Sequence, residues 1–207
     1  MTPQSPLTME SAMPAVFLVS DTHFGHAGVC RFTHEDTGVK IRPWDNPDEM
    51  DEEMVKRWNE TVKPNDKVYH LGDVVINRKC LSIMSRLNGD KVLIRGNHDI
   101  FRDDEYRQYF RELRAYHVMN GMILSHIPVH PDSLGRFGTN IHGHLHTGRV
   151  KIQDKYTRGT WLVNDVRYHC VCVEQTDFRP ILFENVIKRI KEEGGEVGFR
   201  NGNGPTM

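Results

Sequence analysis

The sequence predicts an α/β fold organised on parallel strands, and three observations carry that prediction. Short apolar runs at Ala15–Ser20, Lys67–Leu71 and Lys91–Ile94 have the length of buried strands and are too short for helices. Between the first two, Met50, Met54, Trp58 and Val62 recur at helical spacing. Leu81, Met84 and Leu87, with Ile83 beside them, do so between the second and third. Strand, helix, strand, helix, strand then implies parallel pairing through right-handed crossovers. Finally, each run stops on a polar cluster: Ser20-Asp21-Thr22-His23, Gly72-Asp73, and Arg95-Gly96-Asn97-His98-Asp99. Open α/β sheets build their sites beyond such strand ends.

Taken in order, residues 1–13 are rich in Pro, Ser and Thr and read as a flexible leader. The first strand opens into a connection reaching about Asn46, a length that in compact domains usually carries function. It holds His26, Arg31, His34, Arg42 and Trp44. Of these, His26 and Arg42 are the candidates for substrate binding, because a guanidinium can grip a phosphate oxygen. Asn46-Pro47-Asp48 opens the first helix, with proline near its first position and acids in its first turn. Lys63–Asp66 is a turn, and Asn88-Gly89 ends the second helix. Phe101–Arg114 is polar with interleaved aromatics and reads as a surface helix. Val118–Ser125 reads as a hairpin turned at Asn120-Gly121. After a Pro- and Gly-containing loop at Pro128–Gly138, strands are expected near Arg149–Ile152, Trp161–Asn164 and His169–Glu174, and a helix over Phe183–Ile190. Residues 192–207 are Gly-rich and polar and read as a flexible tail. Without repeats or a second core, residues 14–191 form one domain.

The chain has 207 residues and a formal net charge of -1, which argues against the basic face that extended nucleic acid requires. Its 4 cysteines are too few and scattered for a secreted disulfide framework. Cys170 and Cys172 are read as reduced residues on opposite faces of a late strand. No apolar run is long enough to span a bilayer. These features predict a soluble, cytoplasmic protein, and they leave the oligomeric state open.

Histidine stands out at 12 residues. Beyond the three polar clusters, Ser125-His126 follows Met122-Ile123-Leu124, and His142-Gly143-His144-Leu145-His146 follows Thr139-Asn140-Ile141. Residues two apart share a face in extended chain, so Asp21 and His23 form one pair and His144 and His146 another. Asp21, His23, Asp73, Asn97, His126, His144 and His146 are too many donors for one ion with open positions. They suit two ions sharing a carboxylate, and Asp73 lies at the centre of the set. Two metals about 3.5–4 Å apart are the usual apparatus for in-line displacement at phosphorus. The imidazole-rich, thiolate-free donor set favours Mn, Fe, Zn or Ni, with Mn the expected ion.

Asp21-x-His23, Gly72-Asp73, Gly96-Asn97-His98-Asp99, His126 and Gly143-His144-x-His146 together resemble the calcineurin-like metallophosphoesterase signature, complete and in order from Phe17 to His146. Ser20–His26 and Arg42-Pro43-Trp44 resemble more narrowly a short, lid-less group of bacteria and phages. The resemblance implies a sandwich of two β-sheets flanked by helices. It implies one metal on Asp21, His23 and His146, another on Asn97, His126 and His144, and Asp73 bridging both. It also implies that His98 protonates the leaving group and that Asp99 orients His98. His70 and His142 stand outside the signature and read as supporting or core residues.

The expected activity is therefore hydrolysis of small phosphate esters by hydroxide generated at a dinuclear metal site, with His98 as the general acid. With no room for a lid between Asp99 and His126, an open site favours small phosphodiesters such as cyclic nucleotides. The rival enzymatic readings are a nuclease acting on exposed ends and a phosphomonoesterase. A non-catalytic metal-binding scaffold is the rival from another class, and the uneroded ligand set argues against it.

Overall fold

A run such as Val16-Phe17-Leu18-Val19 (β1, Val16–Val19) can be apolar throughout only if both of its faces are covered. In the computed structural model they are. Phe17 and Val19 join a cluster with Met50, Met54, Trp58, Leu81 and Met84, while Leu18 joins Leu124, Ile141 and Val186 on the other side. The structure describes residues 13–154 and 161–200. Residues 1–12 of the expected leader fall outside that range.

The first helix, α1 (Pro47–Thr61), starts where the sequence indicates: Asn46 accepts a hydrogen bond from the Glu49 amide at 2.8 Å, and Pro47 occupies the first turn. Strands β2 (Lys67–His70) and β3 (Asp90–Ile94) follow. The segment between them, Arg78–Arg86, is a 3₁₀ helix and not the expected α-helix. The Ser82 and Ser85 hydroxyls donate to carbonyls three residues back, matching the tighter winding.

Phe101–Arg114 departs from expectation. Only Asp103–Tyr106 (α2) is helical, and Glu112–Arg114 forms β4, which extends the sheet in parallel against Val92–Ile94. That short polar strand has no apolar alternation to announce it, so its pairing is decided by the neighbouring edge. The Asn120-Gly121 hairpin forms as predicted, joining β5 (His117–Met119) to β6 (Met122–Ser125), with Asn120 at φ 48° and Gly121 at φ 72°. A short helix, α3 (Pro131–Leu134), leads to β7 (Asn140–His142). Then come the hairpin β8 (Lys151–Gln153) and β9 (Leu162–Asn164), β10 (Tyr168–Cys170), β11 (Ile181–Leu182) and α4 (Phe183–Glu192).

One sheet has the order β11-β1-β2-β3-β4, with β1 to β4 parallel and β11 antiparallel. The other has the order β10-β7-β6-β5. Leu18, Tyr69, Val92 and Ile94 of the first sheet meet Met122, Leu124 and Ile141 of the second, so the two sheets are stacked face to face. Helix α1 and the 3₁₀ segment cover the first sheet's outer face. This is the expected mixed α/β sandwich flanked by helices.

Residues 193–200, assigned above to the flexible tail, are tied down instead. The Gly138 amide bonds the Gly198 carbonyl at 2.9 Å, the Thr139 hydroxyl donates to the Glu196 carbonyl, and Phe137 pairs with Phe199. The turn into β7 supplies these partners, and composition alone does not reveal them.

Candidate metal centre

At the ends of β1, β2 and β7 the backbone enters conformations that L-residues rarely adopt. Asp21, His23, Asp73, His144 and His146 all have φ between 49° and 69°. The left-handed region costs a non-glycine residue about 1–3 kcal/mol and is concentrated at functional sites. Five of the seven predicted ligands share that strain. Packing around them is correspondingly close. A Cβ on Gly96 would overlap Asp73 Oδ1, and one on Gly143 would overlap Ser20 Oγ and lie 2.5 Å from Asp21 Oδ2.

The two central carboxylates are held alike. Asp21 Oδ2 accepts from Ser20 Oγ at 2.5 Å, the His144 amide at 2.8 Å and Cys172 Sγ at 3.1 Å, leaving Oδ1 buried with no hydrogen-bond partner. Asp73 Oδ1 accepts from the His98 amide at 2.9 Å, while Oδ2 lies 3.7 Å from His23 Nε2 and 3.4 Å from His126 Nε2. One oxygen of each is fixed to the frame and the other faces imidazoles.

Donor atoms of Asp21, His23 and His146 lie within 4.8 Å of one another, and so do those of Asp73, His126 and His144. Asn97 Oδ1 sits 2.9 Å from His126 Nε2, beside the second group. All seven predicted ligands are therefore brought together from separate strand ends. His126 Nδ1 faces the Leu71 carbonyl at 2.8 Å and His146 Nδ1 faces Glu174 Oε1 at 2.8 Å, which leaves Nε2 of each ring toward the cluster. Both nitrogens of His23 are buried without a hydrogen-bond partner. Buried polar atoms normally find partners. Orphaned imidazole and carboxylate atoms converging within a few ångströms fit divalent cations.

The electrostatics agree. Burial alone would raise the Asp21 carboxyl, but His23, His126 and Ser20 hold it well below the usual range. Asp73 is likewise lowered, because His126 and the His98 amide outweigh its burial. Burial opposes charge on His126 and His146, yet Asp73 raises the first and Glu174 the second. Burial and the neighbouring His126 lower His144.

Among the remaining candidates, His98 is exposed, and its ring stands 5.6 Å from that of His23. Asp99 does not orient it. Its buried carboxylate accepts from the amides of Asp73 (2.8 Å), Val74 (3.0 Å) and Gly96 (2.8 Å), so both oxygens are committed to the backbone of the ligand loops. Burial pushes that carboxyl up. His26 is half-buried, with its ring between His23 and Phe32. Arg42 is no substrate contact: it is 0 % exposed, and its guanidinium is consumed by Glu174 and by the carbonyls of Asp21 and Thr22. Trp44 is buried against Phe178. His70, buried at 3.0 Å from Thr22 Oγ1, and His142 support the frame as expected.

Cys170 and Cys172 correct the sequence reading. Positions two apart in extended chain share a face, and the two sulfurs lie 3.2 Å apart. The sequence reading has Glu174 only as the end of an expected strand, not as a site residue, whereas it lies in a 3₁₀ turn, Val173–Gln175, after β10. It lies outside every motif, and only the fold brings it to His146. A groove of about 320 Å³, lined in part by Arg95, Asn97, His126 and Ile127, opens beside the second donor group. No helix among the described residues is long and apolar enough to cross a membrane.

The chain is similar to several known proteins. The uncharacterized protein MJ1445 of Methanocaldococcus jannaschii is 32% identical over 186 residues, covering 87% of this chain and 94% of its own length. The crystal structure of AQ665 from Aquifex aeolicus, a protein of unknown function, superposes with a TM-score of 0.57. It has 24% identity and covers 86% of this chain and 100% of its own. An archaeal phosphodiesterase matches at a TM-score of 0.40 with 16% identity, covering 76% of this chain and 81% of its own. The family model for calcineurin-like phosphoesterases matches residues 15–187. The chain thus belongs to the calcineurin-like phosphoesterases, hydrolases that typically bind divalent metals.

Proposed function

We propose that the protein hydrolyses small phosphodiesters, of the kind of cyclic nucleotides, with two divalent ions that share Asp73. The observation carrying this reading is Asp73 Oδ2, which lies between His23 Nε2 at 3.7 Å and His126 Nε2 at 3.4 Å and so faces both donor groups. Asp21, His23 and His146 would hold one ion, Asn97, His126 and His144 the other. The imidazole-rich set favours Mn, with Fe, Zn or Ni as alternatives. When bound, the ions neutralise phosphate oxygens and lower the pKa of water.

The chain's own residues supply the rest. The His98 backbone is anchored to Asp73 Oδ1 while its ring faces solvent, so the imidazole can reach the ester oxygen without occupying a ligand position. As the P–O bond breaks, His98 gives its proton to the departing oxygen. Asp99 and Glu174 position the ligands. The open groove beside Asn97 and His126 suits a small organic group, and the net charge of -1 disfavours nucleic acid as substrate. Four free cysteines fit a reducing compartment, and we assign the protein to the cytoplasm.

The test is a panel of mono-, di- and cyclic phosphate esters and a short oligonucleotide, assayed with the Mn-loaded protein. Diesters should be cleaved fastest, chelation should abolish activity and Mn should restore it. Preference for monoesters or for oligonucleotide ends would replace the substrate assignment. Metal binding without turnover would indicate a scaffold.

A further inference from the structure

A buried ion pair joins the long connection after β1 to the turn after β10. Arg42 Nε and Nη2 donate to Glu174 Oε1 at 2.9 and 2.7 Å, and the side chains are 0% and 1% exposed. Arg42 also donates from Nη2 to the Asp21 carbonyl at 2.6 Å and from Nη1 to the Thr22 carbonyl at 2.8 Å. Glu174 Oε1 meets His146 Nδ1 at 2.8 Å. Next to Glu174, Gln175 Nε2 donates to the His146 carbonyl at 2.6 Å. Both left-handed ligand turns of the first donor group, at Asp21–His23 and at His146, are thus gripped by this pair and its neighbour.

The second group is built differently. His126 is oriented by the Leu71 carbonyl, and the Asp73 and Asn97 loops are held by Asp99 and the His98 amide. Neither Arg42 nor Glu174 has a hydrogen bond to Asp73, Asn97, His126 or His144. A buried ion pair contributes little net stability, and in some proteins such a pair serves to fix geometry. A carboxylate facing Nδ1 selects the Nδ1–H tautomer and leaves the Nε2 lone pair for a ligand.

We infer that Arg42 and Glu174 form a buried positioning pair that pre-orients Asp21 and His146 and sets the metal affinity of the first donor group separately from that of the second. The inference rests on the reading that these groups hold metal ions. Glu174 fixes the ring and Arg42 fixes the carbonyls that bend Asp21 into place. The bond from the His144 amide to Asp21 Oδ2 ties the second group's backbone, not its ligand ring, to the first, so loss of either residue loosens chiefly the first group.

The experiment titrates Mn²⁺ alone into chelator-stripped full-length protein by calorimetry, alongside ¹⁵N spectra of the histidine rings before metal is added. Wild type should show two binding events. Glu174→Ala should weaken one by about 10–100-fold, the usual effect of removing an outer partner of a ligating histidine. The other event should change less than about 2-fold, and the His146 ring should lose its single-tautomer signature. If Glu174→Ala does not fold, Arg42→Met/Glu174→Gln removes both buried charges together and should show the same selective loss. Equal weakening of both events, or of neither, would overturn the inference. A wild type that takes up no Mn²⁺ would defeat the metal reading instead. The ring spectra then decide: an unchanged His146 tautomer in Glu174→Ala would still sink the positioning role.

Discussion

Asp99 separates two accounts of the same motif. If it orients His98, its loss should affect proton delivery. The structure instead has its carboxylate accepting three backbone amides, from Asp73, Val74 and Gly96, inside the frame that carries the ligands. Asp99→Asn retains one acceptor oxygen. That oxygen can serve the Asp73 and Gly96 amides, leaving the Val74 N–H against an NH₂ group. One buried, unsatisfied donor costs about 1–3 kcal/mol. Asp99→Ala orphans all three, about 3–9 kcal/mol, which rivals the roughly 5–15 kcal/mol total stability of a typical domain. The assay is the urea midpoint of the metal-free protein, paired with Mn²⁺ titration. Asp99→Asn should lose about 1–3 kcal/mol and bind Mn²⁺ more weakly, and Asp99→Ala should fail to fold. Unchanged stability and Mn²⁺ uptake in Asp99→Asn, with a loss confined to alkoxide leaving groups, would refute this reasoning and restore the orienting role.

Burial pushes the Asp51 carboxyl up to about 6, and its carboxylate accepts from the Gly25 amide. Its contribution to stability is complete below the unfolded value near 3.8 and is lost as pH rises through about 6. Asp51→Asn should flatten the stability–pH curve between those values; an unchanged slope in the urea midpoint would disprove it. His98→Asn should keep its metals but slow nucleotide esters about 10²–10⁴-fold while sparing p-nitrophenyl esters, whose phenolate departs unprotonated. Equal losses on both would remove it as the acid. Asp73→Ala should deplete both ions and Asn97→Ala chiefly one, so metal analysis finding a single ion in fully active wild type would end the shared-carboxylate reading. Gly143→Ala forces a methyl onto Ser20 Oγ and Asp21 and should weaken metal binding, measurable as a lower Mn²⁺ stoichiometry.

Local patterns carried much of this protein. Continuous apolar runs disclosed strands covered on both faces, Asn46-Pro47 disclosed a helix start, and Asn120-Gly121 a hairpin, because each is a preference of a few adjacent residues. The seven ligand candidates were legible for the same reason, each sitting at the end of an apolar run in a short motif.

What lay beyond the motifs was decided in three dimensions. Glu112–Arg114 became a strand because β3 offered a free edge, and residues 193–200 were fixed by the turn at Gly138. Arg42 carries the same side chain whether it meets solvent phosphate or a buried carboxylate. Only the meeting of two segments 132 positions apart turns it from a substrate contact into half of an internal ion pair. Asp99 likewise keeps its place in the motif but spends its oxygens on the amides of loops brought together by parallel strands. Sequence determined which atoms could ligate, because that is a property of residue type. Tertiary structure determined which charges are buried and what they hold, because burial and partnership depend on distant segments meeting.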